Sequence, residues 1–394
     1  MIDTKAQHLG TMFEILGEEL DVPERIYRDM ISKYQHLGAW IREDSKDKFR
    51  ADAEIYPQGS VNLGTTIPPV DATCGYDLDL VYRRDLVKSG ITQAQLIEQT
   101  GDQLRRYIEH LEHQREPLPE LTPRRRCWAL NFKGHFHMDV LPAIPDDEAD
   151  VYSLRNLGDA ILITDKERCE WQHSNPRGYA NWFHEREETV FAEQRRIAAK
   201  AFNVDVEMIP IGRVSTPLRR AIQLAKRHRD IRYTGDPEDK PISIIITTLA
   251  AMAYANEADA FEAFNNIAQR MRDFISFENG IWRVGNPVNT QENFADKWNE
   301  RPERAVRFFE WLDALEFDLA NAQQQSDLNQ FAKALSPAFG KEIVERSLVR
   351  FGRRIDESHQ KGDLRMAAKT GALGSSGAVV PKNTWYGEEQ EPAL

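Results

Sequence analysis

Apolar positions follow different periods in successive parts of the first half of the chain. Between residues 21 and 43 they recur every three or four residues, which predicts an amphipathic helix. Asp21 is suited to cap this helix, and Pro23 to occupy its first turn. Residues 54–66 show no such period and are rich in Gly, Ser and Thr. We therefore predict a loop there, followed by a turn or a short helix.

Two later segments alternate between apolar and other residues. Tyr76 to Tyr82 and Leu130 to Leu141 both follow a period of two, so each is predicted to be one β-strand. A helical pattern at residues 93–113 lies between them. The order of loop, strand, helix and strand predicts a mixed α/β unit in the first half of the chain.

From Thr216 onward the apolar period is that of helices. Thr216 and Pro217 form a cap and a first-turn proline, and one apolar face follows them. Further helices are predicted at residues 243–255, 258–276, 296–321 and 326–338. After Met366 the composition shifts to Gly, Ser, Pro and Glu, which predicts a flexible tail. These changes divide the chain into an N-terminal helix plus α/β unit at 1–215, a helical lobe at 216–366 and a tail at 367–394.

Length and charge narrow the possible functions. The 394 residues exceed what one small core needs and suit two packed lobes. The 63 acidic residues outnumber the 51 lysines and arginines, which gives a formal net charge of −12. A protein that follows long nucleic acid usually presents a basic face, so long DNA is not an expected partner. Small anions held in a focused pocket fit this charge better.

Cysteine usage and hydropathy favour a cytoplasmic protein. The cysteines at 74, 127 and 169 lie far apart and include no CxxC pair, which argues against a disulfide framework or a zinc site. No apolar run follows a basic start, so no signal peptide is predicted. The longest apolar stretch, residues 242–255, is too short to span a membrane. We therefore expect a reducing cytoplasm and no membrane partner.

Three aspartates stand out in the two predicted strands. Asp77 and Asp79 lie two residues apart and so point to the same face, while Leu78 and Leu80 indicate a strand that is at least half buried. Two like charges there repel each other and are costly to desolvate unless a divalent cation offsets them, and carboxylate oxygens suit Mg²⁺. Asp139, in the second strand, completes a three-carboxylate pocket if the strands are neighbours. The alternative is a solvated edge strand.

A Gly-Ser pair precedes the first of these strands. Gly59 allows the backbone to approach a phosphate closely, and the Ser60 hydroxyl and nearby backbone N–H groups are suited to bind it. The pair alone indicates little. A Gly-Ser turn, then a strand with Asp-x-Asp, then a distant strand with one Asp is a specific arrangement.

This arrangement resembles the DNA-polymerase-β nucleotidyltransferase superfamily. The resemblance assigns triphosphate binding to Gln58, Gly59 and Ser60. It assigns the metal-binding catalytic triad to Asp77, Asp79 and Asp139. It also implies two Mg²⁺ ions, with Mn²⁺ able to substitute. The implied fold is an α/β catalytic core with a mostly helical C-terminal lobe and an active site between them. The gap from the Gly-Ser pair to the first aspartate is longer than is usual in the superfamily.

The second half narrows the resemblance to the bacterial cGAS/DncV-like nucleotidyltransferases (CD-NTases). Segments at residues 216–230, 241–249 and 286–298 carry it. In that family a lysine and a serine of the helical lobe hold the triphosphate, and by position these are Lys226 and Ser243. The alternatives are an ordinary solvated lysine and a serine that caps its helix.

The resemblance implies that nucleoside triphosphates, ATP among them, are joined into a cyclic oligonucleotide second messenger. Such messengers serve bacterial antiphage defence (CBASS), where the product activates an effector. A conjugating enzyme or a HORMA-domain protein is the implied accessory partner, and the tail is the candidate docking segment. Other interpretations are nucleotide addition to RNA ends, modification of a protein or small molecule, and a pseudoenzyme that only binds nucleotide. The acidic charge counts against the first, and the complete set of Ser60 and three aspartates against the last.

Overall fold

The alternating segments build one mixed sheet that organises the first half of the molecule. The computed structural model describes residues 4–44, 53–71, 74–133, 136–148, 159–168, 170–202, 214–325, 327–366, 373–374 and 378–381. Within these ranges the sheet has seven strands: β1 Ala53–Pro57, β2 Tyr76–Arg84, β3 Glu120–Pro123, β4 Trp128–Phe132, β5 Phe136–Pro145, β6 Ile161–Ile163 and β7 Gln172–Ser174. The order across it is β1-β2-β5-β4-β3, and β6 pairs with both β5 and β7. The predicted mixed α/β unit is confirmed.

Strands β2 and β5 lie side by side in the sheet and run parallel. Their register places Asp79 beside Asp139 and Asp77 beside His137. The strand predicted from Tyr76 is confirmed. The prediction of one strand over residues 130–141 is wrong, because β4 and β5 are separate strands that pair antiparallel.

Helices from the first part of the chain cover this sheet. They are α2 Glu24–Glu43, α3 Gly59–Leu63 and α4 Gln93–His113, whereas α1 Thr4–Glu18 packs with later helices. Apolar side chains of α2 and α4 pack on β2 in one core, and α4 has the bounds that the sequence predicts. The predicted Asp21 cap of α2 is wrong. Pro23 holds the N-cap position, and the Asp21 carboxylate instead accepts a hydrogen bond of 2.5 Å from Arg220.

The remaining helices form a second apolar core. They are α5 Pro176–Phe202, α6 Pro217–Arg232, α7 Ser243–Ala253, α8 Ala260–Arg270, α9 Asp296–Glu300, α10 Glu303–Gln324, α11 Leu328–Phe339 and α12 Lys341–Lys361. The Thr216 hydroxyl caps α6 by accepting a hydrogen bond from the Arg219 N–H, as predicted. Two helices of this core come from before residue 216. They are α1, which contributes Phe13, and α5, which contributes Phe183. The boundary at residue 215 stays a prediction.

Several predicted helices differ from the observed ones. The helix predicted at 258–276 ends at Arg270 and continues as a 3₁₀ turn, Met271–Phe274. The helix predicted at 296–321 is two helices, α9 and α10, separated at Arg301 and Pro302. Four short strands of this lobe were not predicted: β8 Ser276–Glu278, β9 Ile281–Arg283, β10 Gly285–Asn286 and β11 Asn289–Asn293.

Part of the predicted tail is ordered against the helical lobe. Strands β13 Leu373–Gly374 and β14 Ala378–Val379 both pair antiparallel with β12 Arg365–Met366. The sequence did not predict this pairing. The flexibility of 367–394 stays a prediction, and most of the rest of this segment lies outside the described ranges. None of the helices described has the length and apolarity needed to cross a bilayer.

Candidate active site

The carboxylates predicted to form the triad lie on two adjacent parallel strands. Asp79 and Asp139 are direct neighbours across β2 and β5, and Asp77 lies two residues before Asp79. The Asp77 side chain is 68% exposed and contacts His137 Nε2 on the neighbouring strand. Because residues two apart on a strand share a face, all three carboxylates lie on one side of the sheet.

The environment of Asp79 disfavours negative charge in the absence of a cation. Burial raises the pKa of Asp79 to about 7, and the negative charges of Asp77 and Asp139 contribute further. Asp139 Oδ1 is buried and has no hydrogen-bond partner within the described ranges. A neighbouring thiol is affected as well, since burial and the Asp139 carboxylate raise the pKa of Cys127 to about 12.

These carboxylates fit a hard divalent cation. A buried carboxylate oxygen without a hydrogen bond is costly, and coordination to Mg²⁺ would satisfy it. Asp139 presents such an oxygen on the strand beside Asp79. Among the described residues no three His, Cys, Asp or Glu side chains already stand in a ligating arrangement, and Asp77 is engaged with His137. The two Mg²⁺ ions and the Mn²⁺ substitute stay predictions.

Gly59 and Gln58 are held directly against the β2 aspartate. The Gln58 backbone N–H donates a 2.8 Å hydrogen bond to the Asp79 carbonyl oxygen. Gly59 has a φ of +62°, and a Cβ there would lie 2.5 Å from Asp79 Oδ2. Only glycine allows both this left-handed conformation and this close approach. The local sequence therefore brings the start of α3 to the carboxylates.

Ser60 follows as a residue of α3. Its side-chain oxygen accepts a 3.0 Å hydrogen bond from the Thr66 hydroxyl. Its carbonyl oxygen accepts one of 2.9 Å from the Thr65 N–H. The serine is thus fixed by the turn that ends its own short helix.

Lys226 reaches from α6 to that same turn. The residue is 4% exposed, and its Nζ donates to the Thr65 carbonyl at 3.1 Å and to the Thr65 hydroxyl at 3.0 Å. Burial lowers its pKa to about 7, and its positive charge acts on Asp79. The alternative of a solvated surface lysine is therefore wrong. Its binding of phosphate stays a prediction.

Ser243 has a different environment from the one predicted. It is the first residue of α7 with Ile242 at the N-cap position, so the N-cap alternative is wrong. Its hydroxyl accepts a 2.8 Å hydrogen bond from Arg229. Its neighbours Ile242 and Ile244 line a cavity between the sheet and the helical lobe, which is described next. A role of Ser243 in triphosphate binding stays a prediction.

A cavity of about 750 Å³ separates the sheet from the helical lobe. Of the predicted site residues, Gln58, Gly59 and Asp79 line it. Four cations also line it, two from the sheet side and two from the helical lobe: Arg126, Arg168, Lys297 and Arg304. A cavity lined by the Asp79 carboxylate and by these four cations is suited to a nucleotide with its metal ions.

Arg126 is fixed by a buried acid that the sequence did not reveal. Asp165 is fully buried and accepts hydrogen bonds of 2.8 Å from Arg126 Nε and 2.9 Å from Arg125 Nε. Burial opposes its ionisation, but the hydrogen bonds from these arginines hold the pKa of Asp165 well below its ordinary value. The carboxylate therefore stays charged and orients Arg126 in the cavity wall.

A second acid of the cavity was also missed. Glu292 lies on β11, and its Oε2 accepts a 2.7 Å hydrogen bond from Asn286. Burial raises its pKa, and the bond from Asn286 opposes this. Both residues line the cavity. They fall within a segment that resembles the CD-NTases, yet only the folded β10–β11 pair shows that they face the site.

Comparison with known proteins finds relatives along nearly the whole chain and solved structures with the same fold. No family model matches the chain. A c-di-GMP synthase of Roseivirga ehrenbergii is 29% identical over 380 residues, which cover 95% of this chain and 96% of that protein. The cyclic dinucleotide synthase CdnG of Bradyrhizobium diazoefficiens is 23% identical over 96% of this chain and 94% of its own length. The structure of CdnG in complex with GTP has a TM-score of 0.68 at 21% identity and covers 88% of this chain and 98% of that one. The cyclic AMP-GMP synthase DncV of Vibrio cholerae, in complex with nonhydrolyzable GTP, has a TM-score of 0.54 at 16% identity, with 86% and 88% covered.

Proposed function

We propose that this chain, which is similar along nearly its whole length to bacterial cyclic dinucleotide synthases, joins nucleoside triphosphates into a cyclic oligonucleotide as a cGAS/DncV-like nucleotidyltransferase. In each step a ribose hydroxyl forms a new bond to an α-phosphorus, and the bond from that phosphorus to pyrophosphate breaks. The observation that carries the proposal is the placement of Asp79 and Asp139 side by side, with Gly59 against Asp79 at the cavity wall.

The residues of this chain supply position and charge. Mg²⁺ held by the carboxylates would neutralise the triphosphate and favour loss of the proton from the attacking hydroxyl. Gly59 lets the start of α3 lie directly against Asp79, and Ser60 and Lys226 would offer hydrogen-bond donors to the triphosphate. Arg126, oriented by Asp165, adds a fixed positive charge in the same cavity. Such preorganised charges stabilise the transition state without further rearrangement.

We further propose GTP as one substrate. The names of both relatives specify guanine or dinucleotide products. Guanine presents two adjacent N–H donors on its Watson–Crick edge, which an ionised carboxylate complements. Glu292 is the carboxylate that Asn286 orients within the cavity. The use of ATP stays a prediction.

Replacement of Glu292 tests this assignment of the base. We expect Glu292→Gln to lower kcat/KM for GTP about 10- to 100-fold, because one hydrogen bond to a charged group is lost. ITP lacks the exocyclic amine and should be less affected. Glu278→Gln, the same change at an exposed position of β8 that does not line the cavity, is the matched control. Equal losses with GTP, ITP and ATP would assign Glu292 a structural role instead.

The biological setting is proposed from the family. We propose that the product is a second messenger of antiphage defence and activates an effector, and that a conjugating enzyme or HORMA-domain protein acts on the synthase. A location in the cytoplasm fits this setting. Incubation of the purified protein with all four NTPs, and with GTP alone, followed by mass spectrometry tests the enzymatic part. A cyclic, phosphatase-resistant product supports the proposal, whereas only linear products or none would contradict it.

A further inference from the structure

The turn after α3 connects the two lobes at the site. Gly64 ends α3 with a φ of +66°, and a Cβ there would lie 2.9 Å from Arg219 of α6. Thr65 is fully buried, and the Thr66 carbonyl accepts a 3.2 Å hydrogen bond from Gln223 of α6. The turn is therefore held between the catalytic sheet side and the helical lobe.

Each threonine of this turn contacts a different group expected to bind phosphate. Thr66 Oγ1 donates to Ser60 Oγ at 3.0 Å. Thr65 accepts two hydrogen bonds from Lys226 Nζ, at 3.1 Å through its carbonyl and 3.0 Å through its hydroxyl. Two adjacent residues thus contact both a donor of the sheet side and a donor of the helical lobe.

The number of hydrogens on Ser60 and Lys226 shows how many donors remain available for a ligand. A serine hydroxyl has one hydrogen and two lone pairs. Because Ser60 accepts from Thr66, its own hydrogen is free for an oxygen of the triphosphate. The charged form of Lys226, which a bound triphosphate would favour, has three hydrogens, and Thr65 accepts two of them. The third N–H of Lys226 remains available, and the two hydrogen bonds to Thr65 fix its direction.

We infer that Thr65 and Thr66 are positioning residues for the triphosphate: Thr66 orients the Ser60 hydroxyl as a donor, and Thr65 directs one N–H of Lys226 to the same ligand. The inference rests on the proposed function. It adds that the two donors are aligned by one turn, so that the sheet and the helical lobe are set against each other before the nucleotide binds. Neither threonine needs to touch the substrate.

Replacement of each threonine by valine and by serine tests this role. Valine keeps the shape of threonine and removes the hydroxyl, whereas serine keeps the hydroxyl. We expect Thr66→Val to weaken binding of a nonhydrolysable GTP analogue about 3- to 10-fold, which corresponds to one neutral hydrogen bond. It should raise KM for GTP by the same factor and change kcat little. Thr66→Ser should restore parental binding and KM.

Double variants separate positioning from general damage. On a Ser60→Ala background, Thr66→Val should cause no further loss, and on a Lys226→Met background Thr65→Val should cause none. The crossed pairs, Thr66→Val with Lys226→Met and Thr65→Val with Ser60→Ala, should be additive, since they affect different donors. Full additivity in the matched pairs, or unchanged analogue binding by Thr66→Val, would overturn the inference.

Two measurements keep the result interpretable. Melting temperature is recorded for every variant, because Thr65 is buried and Thr65→Val leaves Lys226 with fewer acceptors. If Thr65→Val does not fold, the comparison of Thr66→Val, Thr66→Ser and the Ser60→Ala double variant decides the outcome. A parental protein that binds the analogue but forms no cyclic product refutes the proposed function, while the binding cycle still tests the threonines.

Discussion

At the scale of single residues, the charge of Asp79 depends on its burial and on its neighbour across the sheet. The spacing of Asp77 and Asp79 was sufficient to predict a shared face, because this follows from strand geometry alone. The pKa of about 7 at Asp79 depends on burial and on Asp139, which the fold brings to the next strand. The contact between Asp77 and His137 likewise required the parallel register.

Replacement of Asp79 by Asn should stabilise the metal-free protein. A carboxyl with a raised pKa binds its proton more tightly in the folded state, so its contribution to stability falls as pH rises from about 4 through about 7. At pH 8 we expect Asp79→Asn to raise the melting temperature by roughly 3–8 °C, with the difference shrinking towards pH 5.5. Scanning calorimetry in EDTA measures it.

Added Mg²⁺ provides the control for this prediction. It should raise the melting temperature of the parental protein and have little effect on the variant, because a ligand has been lost. A variant that melts below the parental protein at pH 8 would show that Asp79 stabilises the metal-free fold, contrary to the repulsion described here.

Resemblance to a family assigned roles to Lys226 and Ser243 but did not predict the contacts that their side chains make. Both were placed by resemblance, yet one is buried against Thr65 and the other is bonded to Arg229. Glu292 and Asp165 were missed because a single acid in a polar segment has no distinctive sequence pattern. Their proximity to the cavity arises only from the β10–β11 pair and from the end of β6.

At the scale of elements, the errors have local causes. Alternation persists through both β4 and β5, so a period of two cannot by itself reveal where the chain reverses. The break between α9 and α10 at Pro302 was readable, since proline is disfavoured inside a helix and its preceding residue leaves the helical region. The boundaries of α4 were predictable because Thr92 and Gln95 form a capping box.

The ordered part of the tail leads to a prediction from two truncations. Removal of residues 382–394 should leave both stability and basal synthesis unchanged. Removal of all residues after Met366 should lower the melting temperature by a few degrees, since the pairing with β12 and the hydrogen bond of His359 to Pro381 are lost. Basal synthesis should persist in both, because the carboxylates lie on another sheet.

Product formation and melting curves of the two truncated proteins check this. Loss of basal synthesis on removal of 382–394 would place these residues in the catalytic body. Defence in cells tests the proposed docking of a partner, which fails if the shorter protein still protects.

At the scale of the whole molecule, chain order did not reveal which segments share a core. Helix α1 and helix α5 come from before residue 216 but pack with the helical lobe. Neither helix was predicted from the sequence, and the partners of both are set by the tertiary fold. The fold class itself was predictable, because the Gly-Ser turn and the two aspartate strands occur together in one superfamily.

The net charge of −12 should exclude RNA-end extension. An acidic molecule repels a polyanion, and most affinity for nucleic acid comes from phosphate contacts. We expect no elongation of an end-labelled RNA oligonucleotide with NTPs and Mg²⁺ at low ionic strength, where binding would be strongest. A ladder of extended RNA would support the competing interpretation instead.

The most direct test compares cyclic product formation by the parental protein and by a double Asp77→Ala and Asp79→Ala variant. The matched control changes two exposed aspartates outside the site, Asp85 and Asp102, to alanine. Incubation with α-labelled NTPs and Mg²⁺, followed by phosphatase treatment and mass spectrometry, measures the product. We predict a cyclic oligonucleotide from the parental and control proteins and none from the Asp77/Asp79 variant, with all three folded. Parental turnover by the Asp77/Asp79 variant, or no cyclic product from any of them, would contradict the account.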